Sequence, residues 1–389
     1  MKRLVAILLT VLLLTGTFTA CGNNSNGSSG STDSNVLKIG SIGPGTGDAS
    51  TYGNAVKYGS ELAVEEINAA GGINGIKIEF KFEDDECDAE KSVNAYNTLK
   101  DWGMQILSGT VTSACCISVV SEAANDEIFL LTPSATAVEC IAPDNAFRVC
   151  FSDPNQGVKS ADYIADNKLA SKVAVIYNNA DAYSSGIYEN FKSEATKKGL
   201  TVTTAEAFTN DNASDFTAQL QNIKKSGAEL VFLPIYVAPA TLILKQAKSM
   251  GLNVKFFGCD GLDGILKQEN FDKSLAEDLM LLTPFTENAT DEKTVKFVNA
   301  FKDKYGEEYL NQFAADAYDS IYIIKAAAEK AGITTGMSNS EICNKLKVAM
   351  GEITFDGLTA TGMTWDVETG EPNKAPKAIV IKNGEYIEM

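Results

Sequence analysis

No histidine occurs anywhere in the 389 residues. Its absence removes every Ser-His and Cys-His nucleophile pair, every His-ligated zinc site and the commonest general base. What remains for chemistry is hydroxyls, carboxylates, lysines and thiols. Ser113 and Thr136 each stand at or near an expected helix start. Free backbone N–H groups and a hydroxyl at such a place suit a carboxylate. Plain N-capping draws on the same residue types, and the sequence leaves both uses open. Asp260 lies between Cys259 and Gly261 in a loop after a strand, with Tyr183 and Tyr236 in other loops of the same half. An aspartate there can hold an ammonium group or bond its own turn. Carboxylate partners on one side and an ammonium partner on the other describe a zwitterion site, since each buried charge needs an opposite. These loops assemble no nucleophile–base pair, so binding is expected, with no catalytic residue.

Other candidate motifs fail on spacing. Gly40, Gly43, Gly45 and Gly47 do not follow GxGxxG, and no GxxxxGK[ST] occurs, so no nucleotide or other cofactor is expected. The acidic run Glu83-Asp84-Asp85-Glu86 lacks the alternating ligands and central glycine of a calcium loop, and reads as a solvated strand end. Seven cysteines lie beyond residue 36: Cys87, Cys115, Cys116, Cys140, Cys150, Cys259 and Cys343. None shows CxxC spacing, so no metal site is expected. Structural thiols or disulfides are, with at least one unpaired.

The elements that must position these loops alternate between strand and helix. Val36 to Ile42 is a β-branched run, and Gly43 to Gly53 a Gly-rich turn. Apolar residues then recur at helical spacing from Asn54 to Ala70, and Ile76, Ile78, Phe80 and Phe82 alternate as in a strand. Helix 88–101, strand 104–108, helix 114–126 and strand 128–132 follow. A second series runs through helix 157–168, strand 172–177, helix 185–199, strand 201–208, helix 213–226, strand 229–235, helix 238–250 and strand 254–258. Such alternation predicts α/β lobes with parallel sheets covered on both faces. Ligands of such sheets collect at the carboxyl ends of the strands.

Composition agrees with a globular body: 44% apolar and 22% charged residues, with 33 Lys+Arg against 51 Asp+Glu for a net charge of −18. A surface so acidic repels phosphate backbones and anionic lipid, so no nucleic-acid partner and no membrane-surface binding is expected. At the amino terminus, Lys2 and Arg3 precede an apolar run from Leu4 to Leu14, too short to span a bilayer but suited to a signal peptide. Thr17-Phe18-Thr19-Ala20-Cys21-Gly22 then resembles a bacterial lipoprotein signal, which assigns residues 1–20 to the signal and lipidation to Cys21. Residues 22–35 are all Gly, Ser, Asn, Thr or Asp, making 21–35 a flexible tether with a span of roughly 20 Å. The chain is thus expected on the cell membrane, facing away from the cytoplasm and held by lipid alone.

Several stretches carry a family resemblance: GSIGPGTG, INAAGGINGIKIE, DDECD, TPSATA, SDPNQG, and later FAADAYDSIYIIKAAAEKAG and ATGMTWDVETGE, in that order. From Leu37 to about Asp366 the chain resembles the branched-chain amino-acid ABC-transporter substrate-binding lipoproteins, the leucine/isoleucine/valine-binding family. The resemblance implies a type I periplasmic-binding fold: two Rossmann-like lobes with a ligand cleft between them and three crossings, here near Asp153, Pro284 and Thr361. It places 36–152 with 285–361 in the first lobe and 153–284 with 362–389 in the second. It implies that Ser113, Ser134 and Thr136 hold an α-carboxylate, that Asp260 holds the α-ammonium, and that Tyr52, Tyr183, Tyr236 and Phe313 shape the pocket. Asp153 matches a polar residue at the first hinge.

Three departures loosen the ligand assignment. Leucine binders carry the longer Glu where Asp260 stands, the proline after DDxCD is Ala89, and the partner of Cys87 is ambiguous between Cys115 and Cys116. The expected function is capture of an apolar, branched-chain or related amino acid by lobe closure and delivery to permease subunits, as a monomer. The alternative is a sensor on the same fold for amides, urea-like molecules or aromatic acids.

Overall fold

The computed structural model describes residues 36–389; the signal segment, Cys21 and the tether assigned to 1–35 lie outside them. Strands β1 (Val36–Gly43), β2 (Lys77–Asp84), β3 (Ile106–Leu107), β4 (Phe129–Thr132) and β5 (Ala146–Arg148) form one parallel sheet in the order β2-β1-β3-β4-β5. Helices α1 (Ser50–Ala69), α2 (Ala89–Trp102) and α3 (Ser113–Asn125) connect them. The second sheet holds β6 (Lys172–Asn178), β7 (Thr201–Phe208), β8 (Leu230–Leu233), β9 (Lys255–Gly258), β10 (Met280–Thr283), β11 (Lys377–Lys382) and β12 (Glu385–Glu388). Its order is β12-β11-β10-β9-β8-β6-β7, parallel from β7 to β10, with β11 and β12 an antiparallel hairpin on the β10 edge. Helices α4 (Asp153–Asp166), α5 (Ala182–Lys197), α6 (Thr217–Ser226) and α7 (Val237–Ser249) belong to this series.

Burial on both faces explains the central strands: every residue of Phe129–Thr132 and of Leu230–Leu233 is buried. Helices α8 (Glu292–Tyr305), α9 (Gln312–Ala331) and α10 (Asn339–Met350) then return to the first sheet. Helix α9 packs along α1, where the hydroxyls of Tyr318 and Tyr322 both donate to Glu66, at 2.6 and 2.9 Å. Among the described residues no helix is long and apolar enough to cross a membrane.

Several boundaries move from their expected places, each for a local reason. Helix α1 starts at Ser50 rather than Asn54. Gly53 sits inside it because a Cβ there would lie 2.0 Å from the Pro44 carbonyl oxygen; this glycine permits close packing of the loop instead of breaking the helix. Helix α4 starts at Asp153 rather than 157, with Pro154 at its first turn. Helix α6 starts at Thr217 rather than 213, after a 3₁₀ turn, Asn210–Asn212, capped by Thr209.

Two readings are corrected. The acidic run at 83–86 is not merely solvated: Asp85 is fully buried and accepts from the Cys87 N–H at 2.9 Å and the Ser92 hydroxyl at 3.0 Å. Its neighbour Asp84 accepts from the Gly45 N–H and the Thr46 hydroxyl, at 2.7 and 2.8 Å, tying down the glycine loop. The third crossing does not fall at Thr361. Met363 and Trp365 are buried in one cluster with Ile39, Phe129 and Phe147 of the first sheet. The Trp365 indole donates to the Arg148 carbonyl at 2.8 Å, and the Arg148 N–H donates to the Gly370 carbonyl. Lys374 is buried too, pairing with Asp316 of α9. The chain leaves the first sheet only after Lys374.

Candidate ligand-binding site

Each sheet reverses strand order once, between β1 and β3 in the first and between β6 and β8 in the second. Loops diverge at such points and leave a crevice at the carboxyl ends. The two crevices face each other across a narrow cavity of about 10 Å³. Every residue expected at the site lines it except Asp153: Tyr52, Ser113, Ser134, Thr136, Tyr183, Tyr236, Asp260 and Phe313.

The hydroxyls of the first half are not equivalent. Ser113 Oγ accepts from the N–H groups of Thr136 and Ala137, both at 3.2 Å, so its own proton stays free to donate. Ser134 Oγ donates to the Val111 carbonyl at 2.8 Å and offers only lone pairs. Thr136 Oγ1 lies beside the Asp153 carboxyl, to which its hydroxyl can donate; neither group has any other hydrogen-bond partner. Thr112 at the N-cap of α3 makes no side-chain cap, which leaves that helix start open toward the cavity it lines. Behind the loop, the buried guanidinium of Arg148 donates to the carbonyls of Ala135, Thr136 and Ala137, at 3.3, 2.5 and 3.0 Å. With its carbonyls turned back to Arg148, the loop presents side chains to the cavity.

The second half is built around Asp260. Tyr183 donates to Asp260 Oδ1 at 2.7 Å, and its hydroxyl accepts from the Gly261 N–H at 2.9 Å. A Cβ at 261 would lie 2.6 Å from that hydroxyl and 2.8 Å from the Ile235 carbonyl oxygen, so the close approach requires glycine. Burial pushes the Asp260 carboxyl up to about 7, against the lowering bond from Tyr183. Burial also drives Asp153 well above the ordinary carboxylate range. Asp153 is the first residue of α4, packed against Gly186 of α5 and near Asp260, and it does not reach the cavity.

Aromatic rings close the remaining sides. Tyr52 packs edge-on to Phe313 with centroids 4.9 Å apart, and Tyr183 stacks on Tyr236 at 4.9 Å. The Tyr52 hydroxyl also donates to the Gly261 carbonyl at 2.6 Å and accepts from the Val237 N–H at 2.7 Å. A residue of α1 therefore bonds two backbone groups of the second half across the cleft.

Sequence reasoning missed Arg148, Gln156 and Gln312. Gln156 accepts from the Asp260 N–H at 3.1 Å, and Gln312 donates to its carbonyl at 3.0 Å, so the two amides fix the loop on both sides. Gln156 lies within SDPNQG, a stretch already singled out, and Arg148 stands four residues before it; nothing local marks Gln312. Among the described residues no group of His, Cys, Asp and Glu could hold a metal ion.

The periplasmic binding protein family model matches residues 36–379. The chain is 32% identical over 301 residues to Leu/Ile/Val-binding protein homolog 3 of Brucella melitensis, covering 77% of this chain and 80% of that one. It is 29% identical over 325 residues to the leucine-, isoleucine-, valine-, threonine- and alanine-binding protein of Pseudomonas aeruginosa, covering 82% and 86%. Among solved structures, the branched-chain amino acid transporter substrate binding protein LivJ of Streptococcus pneumoniae, in complex with isoleucine, superposes with a TM-score of 0.80 at 27% identity. It covers 91% of this chain and all of that one. The fold and the two-sided cleft are thus those of a type I solute-binding protein. The chain belongs to the periplasmic binding protein family, whose members bind solutes for ABC transporters and are not enzymes.

Proposed function

We propose that this protein captures an apolar amino acid between its two lobes and presents it, closed, to the permease of an ABC transporter. The observation that carries the reading is Asp260. A buried carboxylate with no cation beside it faces a small cavity whose opposite wall holds the free hydroxyls of Ser113 and Thr136 and the open start of α3. An ammonium at Asp260 and a carboxylate at that wall satisfy both at once. Tyr52, Tyr236 and Phe313 give the side chain of the ligand an apolar wall, as branched-chain amino acids require.

The lobes we assign are 36–152 with 285 to about 374, and 153–284 with 377–389, hinged near Asp153, Pro284 and Ala375-Pro376. The protein works as a monomer, anchored outside the cytoplasm through lipid on Cys21. A thermal-shift panel of free amino acids and their amides tests the reading. A matching amino acid at 100 times its dissociation constant adds about 2.7 kcal/mol of stability; its amide adds far less. A shift only with amides or aromatic acids would contradict it.

A further inference from the structure

We propose that Cys116 and Cys140 form a disulfide that fastens the start of α3 to the loop carrying Ser134 and Thr136. Cys116 lies in the first turn of α3, and Cys140 in the 3₁₀ turn Val138–Ile141 that packs directly against it. Both are fully buried in one small cluster with Ala135 and Ala137. Each sulfur lies against the other's segment: Cys116 Sγ is 3.8 Å from the Cys140 carbonyl oxygen, and Cys140 Sγ is 3.6 Å from that of Ser113, three residues before Cys116. Both are free thiols in this structure, each close enough to shift the other's ionisation. Successive helical positions point about 100° apart. Cys115 accordingly turns to the other side, where it meets Cys87 of the turn after β2. Adjacent cysteines on one helix thus face partners in two separate loops, which gives Cys116 a partner distinct from that of Cys87.

The bond forms as the exported chain folds, before burial, with a small-molecule or protein disulfide as oxidant. The Cys116 thiolate attacks one sulfur of that oxidant and releases one thiol. The Cys140 thiolate then attacks the Cys116 sulfur of the mixed disulfide and releases the second. Two electrons pass to the oxidant, and the two protons lost by the protein end on its thiols. The consequence is a preorganised wall, since Ser113 and Thr136 flank the joined segments.

The test is independent of any ligand. The full chain is expressed with export, quenched with iodoacetamide in denaturant without reductant, digested and mapped by mass spectrometry. Because Cys115 and Cys116 share a peptide, the Cys87→Ser/Cys115→Ser variant is mapped beside the parent. The expected map links Cys116 to Cys140 and leaves Cys150, Cys259 and Cys343 alkylated, and reductant lowers the melting temperature of this variant by a few degrees. Should that variant not fold, Cys140→Ser in the parent decides, since Cys116 then becomes alkylated where the parent's is not. Alkylated Cys116 and Cys140 in the unreduced parent, or a link from either to Cys150, overturns the proposal.

Discussion

At the residue scale, the polar atoms of the cleft divide into those that already have partners and those that do not. Asp260 has one good donor, Tyr183, and no cation. If it holds the ligand's ammonium, Asp260→Asn leaves a desolvated cation without its counter-charge. Affinity for the best amino acid then falls by roughly 30- to several-thousand-fold in calorimetry, about 2–5 kcal/mol. The pH dependence follows from the same group. Its value in the closed cleft is about 7, above the ordinary 3.8, so the closed empty protein holds a proton that the unfolded chain loses. The contribution of this group to the stability of the closed empty protein therefore drops as pH rises from about 4 to about 7 and is flat above. An ammonium reverses the penalty: affinity rises toward pH 7, with a proton released on binding at lower pH. Calorimetry in buffers of different ionisation enthalpy reads that proton, and Asp260→Asn abolishes it. The hydroxyls separate in the same way. Thr136→Val removes a free donor and costs roughly tenfold or more in affinity, whereas Ser134→Ala breaks a bond to Val111 and lowers the melting temperature with little change in affinity. The sequence marked these residues as a set but could not rank them. Which partner a hydroxyl takes depends on backbone atoms distant in the chain, such as the Val111 carbonyl for Ser134.

At the element scale, alternation alone located β1 to β4, β6 to β9 and the helices between them, because period-2 and period-3.6 burial leave opposite marks; the three-residue strand β5 is too short to show a period and went unmarked. Short boundaries were less legible. The start of α1 hides behind Gly53, which reads as a turn residue until the Pro44 carbonyl is placed against it. Strand β10 and the β11–β12 hairpin close the second sheet from segments separated by almost a hundred residues, a pairing no local pattern announces. The segment holding Trp365 returns to the first sheet because Arg148 exposes a carbonyl there for the indole. Between elements, the Tyr52 hydroxyl joins α1 to the start of α7 and to the Asp260 loop. Tyr52→Phe strands a buried carbonyl and a buried N–H in the closed cleft, at about 1–3 kcal/mol. Amino-acid affinity is expected to fall by roughly 5- to 150-fold while the melting temperature without ligand stays close to the parent's. An unchanged dissociation constant would show that this bridge does not contribute to closure.

At the scale of the whole molecule, the cleft is complete only when the two halves meet. The wall proposed for the carboxylate comes from the loops after β3 and β4 and the start of α3, and Asp260, proposed for the ammonium, from the loop after β9. Each half makes contacts that exist only in the closed arrangement, so a ligand bound by both shifts the population from open to closed. An amide or an N-acylated amino acid lacks one charged end, engages one half well, and shifts that balance little. Small-angle scattering is the most direct measurement of this claim. It is taken on the empty protein, then with a saturating concentration of the amino acid that gives the largest thermal shift, and then with that ligand's amide. The account predicts a smaller radius of gyration with the amino acid than without, and almost no contraction with the amide. A profile that stays unchanged under saturating amino acid, or that contracts equally with the amide, would contradict it.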